Sequence, residues 1–366
     1  MNRRPSLPGR HRRLPTATLL ATLAGAVVAG PAAAIVPATP SVSAWVVARQ
    51  TGTLNVAYTP GPKDQGSSAG GTNTITRVSP GQYLVRLGGL NNSLGNAQVT
   101  AMQSQPRWCS ANEWYGDGSD VVVDVTCRDA NGAVANAKFA LTYVAGLGTN
   151  GGTNKRLAYV YAGSPSGAIT PDSVYQYDSN GGSIAIAWTA TGRYTVTIPN
   201  MGIAGGNVQV GAYNQAATCA AIDWKVVGSD KVIHVACRAP KTGADVDAII
   251  DVLFTANAGP SGFSTVPAAF LLANKPKAAS YQPAAAYRYN SAGKSITVMR
   301  GSLGNYTVVL TGMPAGGAAI VTPTGTGKAH CQLSSLGTVV PMKAIVRCFT
   351  PAGAAVDSPF SLSYTH

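Results

Sequence analysis

Glutamate is nearly missing from this chain: Glu113 is the only one in 366 residues, and charged residues of all kinds make up 11%. Exposed helix faces need Glu, Lys and Leu in quantity, so an ordinary helical protein is excluded. Helical patterning is missing too, because no window keeps apolar residues at i, i+3, i+4 and i+7 without a Gly, Pro or β-branched interruption. Close Cys/His pairs of the C-x₂₋₄-C kind, which a zinc site wants, do not occur. Dense Lys/Arg runs and RNA-type motifs are also missing, so no nucleic-acid partner is expected. One apolar, Ala-rich run, Leu14 to Ala29, falls short of the roughly 20 residues of a membrane span.

Arg3, Arg4, Arg10, Arg12 and Arg13 precede that run, and Pro31-Ala32-Ala33-Ala34 follows it. This is the order of a secretory signal peptide, with cleavage expected after Ala34 and Ala44 as the second choice. Arg12-Arg13-Leu14 leaves the Sec and twin-arginine routes both open. An uncleaved anchor is the rival reading, and the shortness of the run counts against it. Removing these five positive charges from a net +13 leaves +8, which serves solubility and would also attract anionic wall polymers or acidic polysaccharide. No membrane partner is expected after signal removal, and the expected location is secreted, extracellular.

What the chain has in quantity is repetition. Gly81-Gln82-Tyr83-Leu84-Val85, Gly192-Arg193-Tyr194-Thr195-Val196 and Gly304-Asn305-Tyr306-Thr307-Val308 share the pattern Gly-x-Tyr-x-Val. Cysteines keep the same step, with Cys109, Cys219 and Cys331 as first members and Cys127, Cys237 and Cys348 as second members. A period near 110 residues is that of a domain rather than of a solenoid unit. Six cysteines allow 15 pairings. The repeat selects Cys109–Cys127, Cys219–Cys237 and Cys331–Cys348, each closing a loop worth about 3 kcal/mol. Paired cysteines suit an oxidising compartment.

The resulting expectation is an all-β chain of three tandem β-sandwich-like or small-barrel domains with one intradomain disulfide each. Its parts are a signal peptide 1–34, a lead-in 35–43, repeats at 44–146, 156–257 and 267–366, and Gly-rich linkers at 147–155 and 258–266. First strands are expected at Trp45-Val46-Val47-Ala48, Tyr159-Val160-Tyr161-Ala162 and Phe270-Leu271-Leu272-Ala273. Alternation in the Gly-x-Tyr strand puts Tyr194, Val196 and Ile198 toward a core and Thr195 and Thr197 toward water. Thr59 to Gly71, rich in Pro, Gly and Ser, reads as a mobile loop peculiar to repeat one.

No catalytic, cofactor-binding or metal-binding residues are assigned. Gly66-Ser67-Ser68-Ala69-Gly70 matches G-x-S-x-G, but the motif needs a strand before it and a helix after it, and a Gly/Ser loop supplies neither. His234, His330 and His366 fall at different repeat positions, so no histidine recurs as a base. Asp117 with Asp120, or Asp245, Asp247 and Asp251, could in principle serve a glycosidase. Gly118-Ser119-Asp120 recurs as Gly228-Ser229-Asp230, as turn residues would. Val246-Asp247 recurs as Val356-Asp357, with Asn136 near the same place, which favours a buried or turn-capping role. Trp114 and Trp224 share a position where repeat three has Leu336, which favours packing. Read functionally, Trp108, Trp114, Tyr115 and Trp224 are the candidate ligand face, a platform for sugar rings.

The leader, the tandem Gly-x-Tyr-x-Val and Cys-pair units, and the ending Val356-Asp357-Ser358-Pro359-Phe360-Ser361-Leu362-Ser363-Tyr364-Thr365 together resemble uncharacterised secreted repeat proteins of actinobacteria and similar soil bacteria. The resemblance spans nearly the whole mature chain and carries no known activity. The expectation is therefore a secreted, non-enzymatic extracellular binding or surface-interaction protein, with polysaccharide or cell-wall polymer as partner and no cofactor. A secreted Asp-based, glycosidase-like hydrolase is the alternative, and a structural or inhibitory secreted protein is the third reading.

Overall fold

The structure is a computed structural model that describes residues 41–146, 154–262 and 266–366. The signal peptide, most of the lead-in, residues 147–153 of the first linker and residues 263–265 of the second lie outside the described residues.

Repeat one comprises β1 (Val42–Ala48), β2 (Ala57–Tyr58), β3 (Gln65–Ser67), β4 (Thr74–Ser79), β5 (Gln82–Leu87), β6 (Asn96–Ala101), β7 (Arg107–Asp117), β8 (Asp120–Asp129) and β9 (Phe139–Ala145). Repeat two comprises β10 (Arg156–Tyr161), β11 (Gln176–Asp178), β12 (Ala185–Ala190), β13 (Arg193–Ile198), β14 (Asn207–Tyr213), β15 (Thr218–Val227), β16 (Asp230–Arg238) and β17 (Ile249–Ala256). Repeat three comprises β18 (Ala268–Ala273), β19 (Ser280–Tyr281), β20 (Arg288–Asn290), β21 (Ile296–Ser302), β22 (Asn305–Leu310), β23 (Ala318–Pro323), β24 (His330–Leu336), β25 (Met342–Phe349) and β26 (Phe360–Thr365). One 3-10 turn, Ala285–Tyr287, precedes β20.

Each repeat is a sandwich of two antiparallel sheets. The outer sheets have the orders β2-β4-β5-β8-β7, β12-β13-β16-β15 and β19-β21-β22-β25-β24. The inner sheets are β3-β1-β9-β6, β11-β10-β17-β14 and β20-β18-β26-β23. In β5, β13 and β22 buried and half-buried residues alternate strictly, so the tyrosine side enters the core and the other side meets water.

The Gly-x-Tyr motif is a corner that ties the outer sheet to the last strand. Gly81, Gly192 and Gly304 have φ of +69°, +65° and +64°. A Cβ there would lie 2.7 Å from Ala135 N, 2.5 Å from Cys237 O and 2.6 Å from Cys348 O, so only glycine fits. Their amides donate to Asn136, Asp247 and Asp357 Oδ1 at 2.7, 2.7 and 2.9 Å. The tyrosine hydroxyls accept from the amides of Ala137, Ala248 and Ser358 at 3.1, 2.7 and 3.1 Å. Asp247 and Asp357 therefore cap a turn. The three disulfides join directly opposed residues of the adjacent hairpin strands, with Cα atoms 4.0 to 4.1 Å apart.

The inner sheets are buried on both faces: every residue of β1, β9 and β26 is buried. One face fills its own sandwich and the other meets a neighbouring repeat, and the described residues belong to one compact unit. The three junctions are equivalent. Asn214 N donates to Ala111 O at 3.1 Å, Gly325 N to Ala221 O at 3.1 Å, and Gln103 N to Leu333 O at 2.9 Å. These bonds link repeat two to one, three to two, and one to three, so the copies close into a ring about a pseudo-threefold axis. The copies are thus joined by packed interfaces as well as by their linkers.

The Thr59 to Gly71 segment, expected as a mobile loop, is part of this closure. It contributes β3 to the inner sheet, and Lys63 O accepts from Gly317 N of repeat three at 3.0 Å. Its glycine has a steric reason. Trp45 is paired with Gly66, where a Cβ would lie 2.4 Å from the indole nitrogen. The counterpart pairs Tyr159–Tyr177 and Phe270–Tyr289 stack two rings instead, at 5.7 and 5.6 Å.

Candidate functional site

Around the ring axis, equivalent residues of all three repeats line a half-open cavity of about 60 Å³. Val99, Val210 and Val321 and the first cysteine of each disulfide, Cys109, Cys219 and Cys331, form a threefold lining. The position before that cysteine breaks the symmetry, being Trp108, Thr218 and His330. Repeat one adds Arg107 and Ser110, where the matching residues are Ala217 and Ala220 in repeat two and Ala329 and Gln332 in repeat three. Trp108, Ser110 and His330 are each less than a tenth exposed, yet Trp108 Nε1, Ser110 Oγ and His330 Nε2 have no hydrogen-bond partner. Burial pushes the His330 imidazole down to about 4, so it is neutral near pH 7. The His330 ring packs edge-on against Trp108 at 6.3 Å and stacks on Phe349 at 5.4 Å.

The structure does not gather the four aromatic candidates into one face. Trp108 lines the axial cavity, while Tyr115, 39% exposed, lies near the tip of the β7–β8 hairpin. Trp114 and Trp224, each 5% exposed, are buried at two different junctions and offer no ring face to a sugar. Trp114 is surrounded edge-on by Tyr161, Tyr175 and Tyr213 of repeat two at 5.2 to 6.1 Å. Trp224 meets Tyr287 of repeat three at 5.8 Å and packs with Leu272. Leu336 shares a core cluster with Val47 of repeat one. Val47, Tyr161 and Leu272 are matching positions, so residue 114, 224 or 336 of one copy is the knob that enters the next.

The polar candidates have structural partners. Ser68 Oγ accepts from Ser43 N at 2.9 Å, as Ser179 and Ser291 Oγ accept from Leu157 N and Ala268 N at 3.2 and 3.0 Å. Ser68 is thus a repeated edge clasp, with no helix after it. Asp117 and Asp120 both bind Arg86. The Gly89 amide and the Arg86 guanidinium hold the Asp120 carboxyl below its usual range. Asp245 bridges Arg193 at 2.7 Å, and His234 pairs with Asp223 at 2.7 Å on an exposed face. The His366 ring lies tilted against Trp45, with ring centres 5.6 Å apart. Among the described residues, no group of three or more His, Cys, Asp or Glu is placed to hold a metal ion.

Three residues take places that the sequence did not show: Lys231, Asp251, which it offered only as a glycosidase carboxylate, and Trp188. Lys231 is fully buried, its ammonium donating to Ile203 O and Gly205 O above the Phe254 ring, and burial pushes it down to about 8. Asp251 fills the place of a missing side chain. Thr100 and Thr322 Oγ1 accept from Val321 N and Val210 N across two junctions at 2.9 and 3.0 Å. The third position is Gly211, where a Cβ would stand 2.2 Å from Asp251 Oδ1. Burial pushes this carboxyl up to about 7, against the Gly211 amide and the Gln98 side chain, which act to lower it. Trp188 is the third. It is 37% exposed, whereas Trp45, Trp108, Trp114 and Trp224 are buried. Its indole N–H donates to Asp247 Oδ1 at 2.8 Å, which holds the ring at the open lip of the sandwich. Opposite the motif tyrosine, repeats one and three carry Arg77 and Arg300 in its place, and Arg300 forms a two-pronged pair with Asp357.

No helix of the described residues is long and apolar enough to cross a membrane. Comparison of the chain with models of protein families, with curated proteins and with solved structures finds no match, so what identifies this molecule is its own architecture: an all-β chain of three disulfide-bonded sandwich-like repeats closed around one cavity.

Proposed function

We propose that the protein is secreted and acts outside the cell as a non-enzymatic binding protein for polysaccharide or cell-wall polymer, with Trp188 as its aromatic contact. The observation that carries this reading is the exposed, fixed ring of Trp188. A large apolar face left to solvent contributes binding when it stacks on the apolar face of a sugar, and loses little entropy if already held. The bond to Asp247 holds it, and the neighbouring Arg193–Asp245 pair supplies donors and acceptors for hydroxyl groups. Three disulfides and the leader-like N-terminus support export, as does resemblance to secreted actinobacterial-type repeat proteins. A charge of +8, left once the five leader arginines are removed from +13, favours acidic polymers.

Only repeat two has this ring, so the expected binding is monovalent, without the avidity that three equal copies would give. The test is retention of the mature protein and of Trp188→Ala on insoluble glucans, chitin and purified cell walls. Retention that drops about tenfold in the variant is expected, since the stacking and the apolar area it buries are together worth roughly 1.5 kcal/mol. Equal retention of the two proteins, or none of either, would sink the proposal. Trp188 sits on the surface, so an unchanged melting temperature should accompany the loss.

A further inference from the structure

We propose that β12 is the docking edge for a second copy of this chain, pairing antiparallel with the partner's β12 about a twofold axis at Ala187. The outer sheets of repeats one and three have five strands and are closed at this edge by β2 and β19, whereas that of repeat two has four and ends on β12. The two covering strands share one register. Ala57 and Tyr58 stand opposite Thr76 and Ile75, and Ser280 and Tyr281 opposite Met299 and Val298. Bonding continues one position further, where Arg77 O accepts from Asn55 N at 2.8 Å and Arg300 N donates to Ala279 O at 2.9 Å. The matching positions of β12 are Ala187, Ile186 and Trp188. Among the described residues β12 pairs with β13 alone, and the outward N–H and C=O of Trp188 have no partner. The chain between β10 and β11 forms no strand here: Ile169 packs on the core, and Pro165 O accepts from the Tyr194 hydroxyl at 2.7 Å. Every residue of β12 except Ile186 is exposed, and none of β4 is.

An open sheet edge is ordinarily guarded by charge, by proline or by being very short. Ala185-Ile186-Ala187-Trp188-Thr189-Ala190 has no charge and no proline, while the covered edges carry Arg77 and Arg300 where it has Trp188. Its own residues name the occupant. What covers the edge in repeats one and three is a small residue followed by an aromatic one, Ala57-Tyr58 and Ser280-Tyr281, and β12 carries such a pair itself in Ala187-Trp188. A second β12 laid in the same antiparallel register puts its Ala187 opposite Ala187 and its Trp188 opposite Ile186. Twofold symmetry repeats the match in the other direction. Ile186 and Trp188 lie at the positions that bond the covering strand in repeat three, so the two copies exchange N–H···O bonds both ways. Each Trp188–Ile186 contact is a cross-strand aromatic and β-branched pair. The interface is that of one strand pair, so the dimer is weak and depends on concentration.

The experiment is sedimentation equilibrium of the full mature chain, of Ala187→Lys, of Ala187→Glu and of an equal mixture of the two variants. Ala187 is exposed, so both variants should fold, which unchanged melting temperatures verify. At the twofold axis residue 187 faces its own copy, so each variant sets like charges directly opposite, and the mixture sets opposite ones. A wild-type dimer with Kd below about 300 µM is expected, at least about tenfold weaker in either variant alone and restored in the mixture. A wild-type chain that stays monomeric up to about 1 mM, a dimer that both variants leave unchanged, or a mixture that fails to associate overturns the proposal. Association is measured without glycan, so it stands or falls separately from the polysaccharide reading. Well below the dimer Kd each chain is single, and its glycan binding is monovalent.

Discussion

Asp251 and His330 carry buried ionisable groups whose protons act on stability in opposite directions. The Asp251 carboxyl, at about 7 in the fold against 3.8 unfolded, is protonated in the native chain while the unfolded chain has already lost its proton. Between those values stability falls as pH rises, by roughly 4 kcal/mol in full. The His330 imidazole, at about 4 against 6.5, is the reverse: the unfolded chain takes up a proton that the native one refuses. Between pH 4 and 6.5 its contribution rises with pH, by roughly 3 kcal/mol in full. The two offset each other in that window, and single variants separate them. Relative to wild type, Asp251→Asn should gain stability between pH 4.5 and 6.5, and His330→Gln should lose it, each by roughly 2 kcal/mol in urea unfolding. Variants that both follow the wild-type profile would show that these burials do not set the proton balance.

Within one element, the Gly-x-Tyr corner separates backbone strain from crowding. Gly192 and Gly228 both have positive φ, +65° and +61°. A Cβ on Gly228 meets nothing within 4 Å, whereas on Gly192 it meets Cys237 O at 2.5 Å and Val246 N at 2.8 Å. Gly228→Ala should cost about 1 kcal/mol for the left-handed conformation alone. Gly192→Ala should cost at least twice that, because the β16 backbone and the Asp247 cap must also move. Chemical denaturation of the two variants checks the difference, and equal losses would mean the corner yields.

This corner was legible in the sequence, since the triple Gly-x-Tyr match and the paired cysteines mark the positions whose contacts recur. The inner sheets were less so. Thr142, Ser361 and Ser363 alternate with apolar residues and read as a water-facing side, yet all three are buried. Their side of the sheet meets the next repeat, where Ser361 Oγ accepts from Asn207 Nδ2 at 2.6 Å. A polar interface between copies has the same alternation as a solvated face, so periodicity cannot separate them. Trp114 was legible as packing through its exchange with Leu336, but not what it packs on. The axial cavity joins residues some 110 positions apart around a closed ring, which no local pattern reports. Trp188 was detectable only by setting it against Arg77 and Arg300 across the copies.

For the whole molecule, closure means that each repeat is held by two interfaces, and the linkers are not what keeps the copies together. Repeat one is bound to repeat two through Trp114 and to repeat three through Met102, which is buried in the core cluster of repeat three. Burying a Trp and a Met is worth about 3–5 and 2–5 kcal/mol respectively when each is truncated to Ala. A protease site placed within residues 147–153 should therefore, once cut, yield two chains that still elute from gel filtration as one particle of the intact size. Adding Trp114→Ala and Met102→Asp removes one knob and buries a charge without a partner at the other junction. The same cut should then release repeat one. Release from the otherwise unaltered protein would show that the junctions are too weak to hold the ring, and retention after both substitutions would place the binding energy elsewhere, in the polar contacts along β6, β14 and β23.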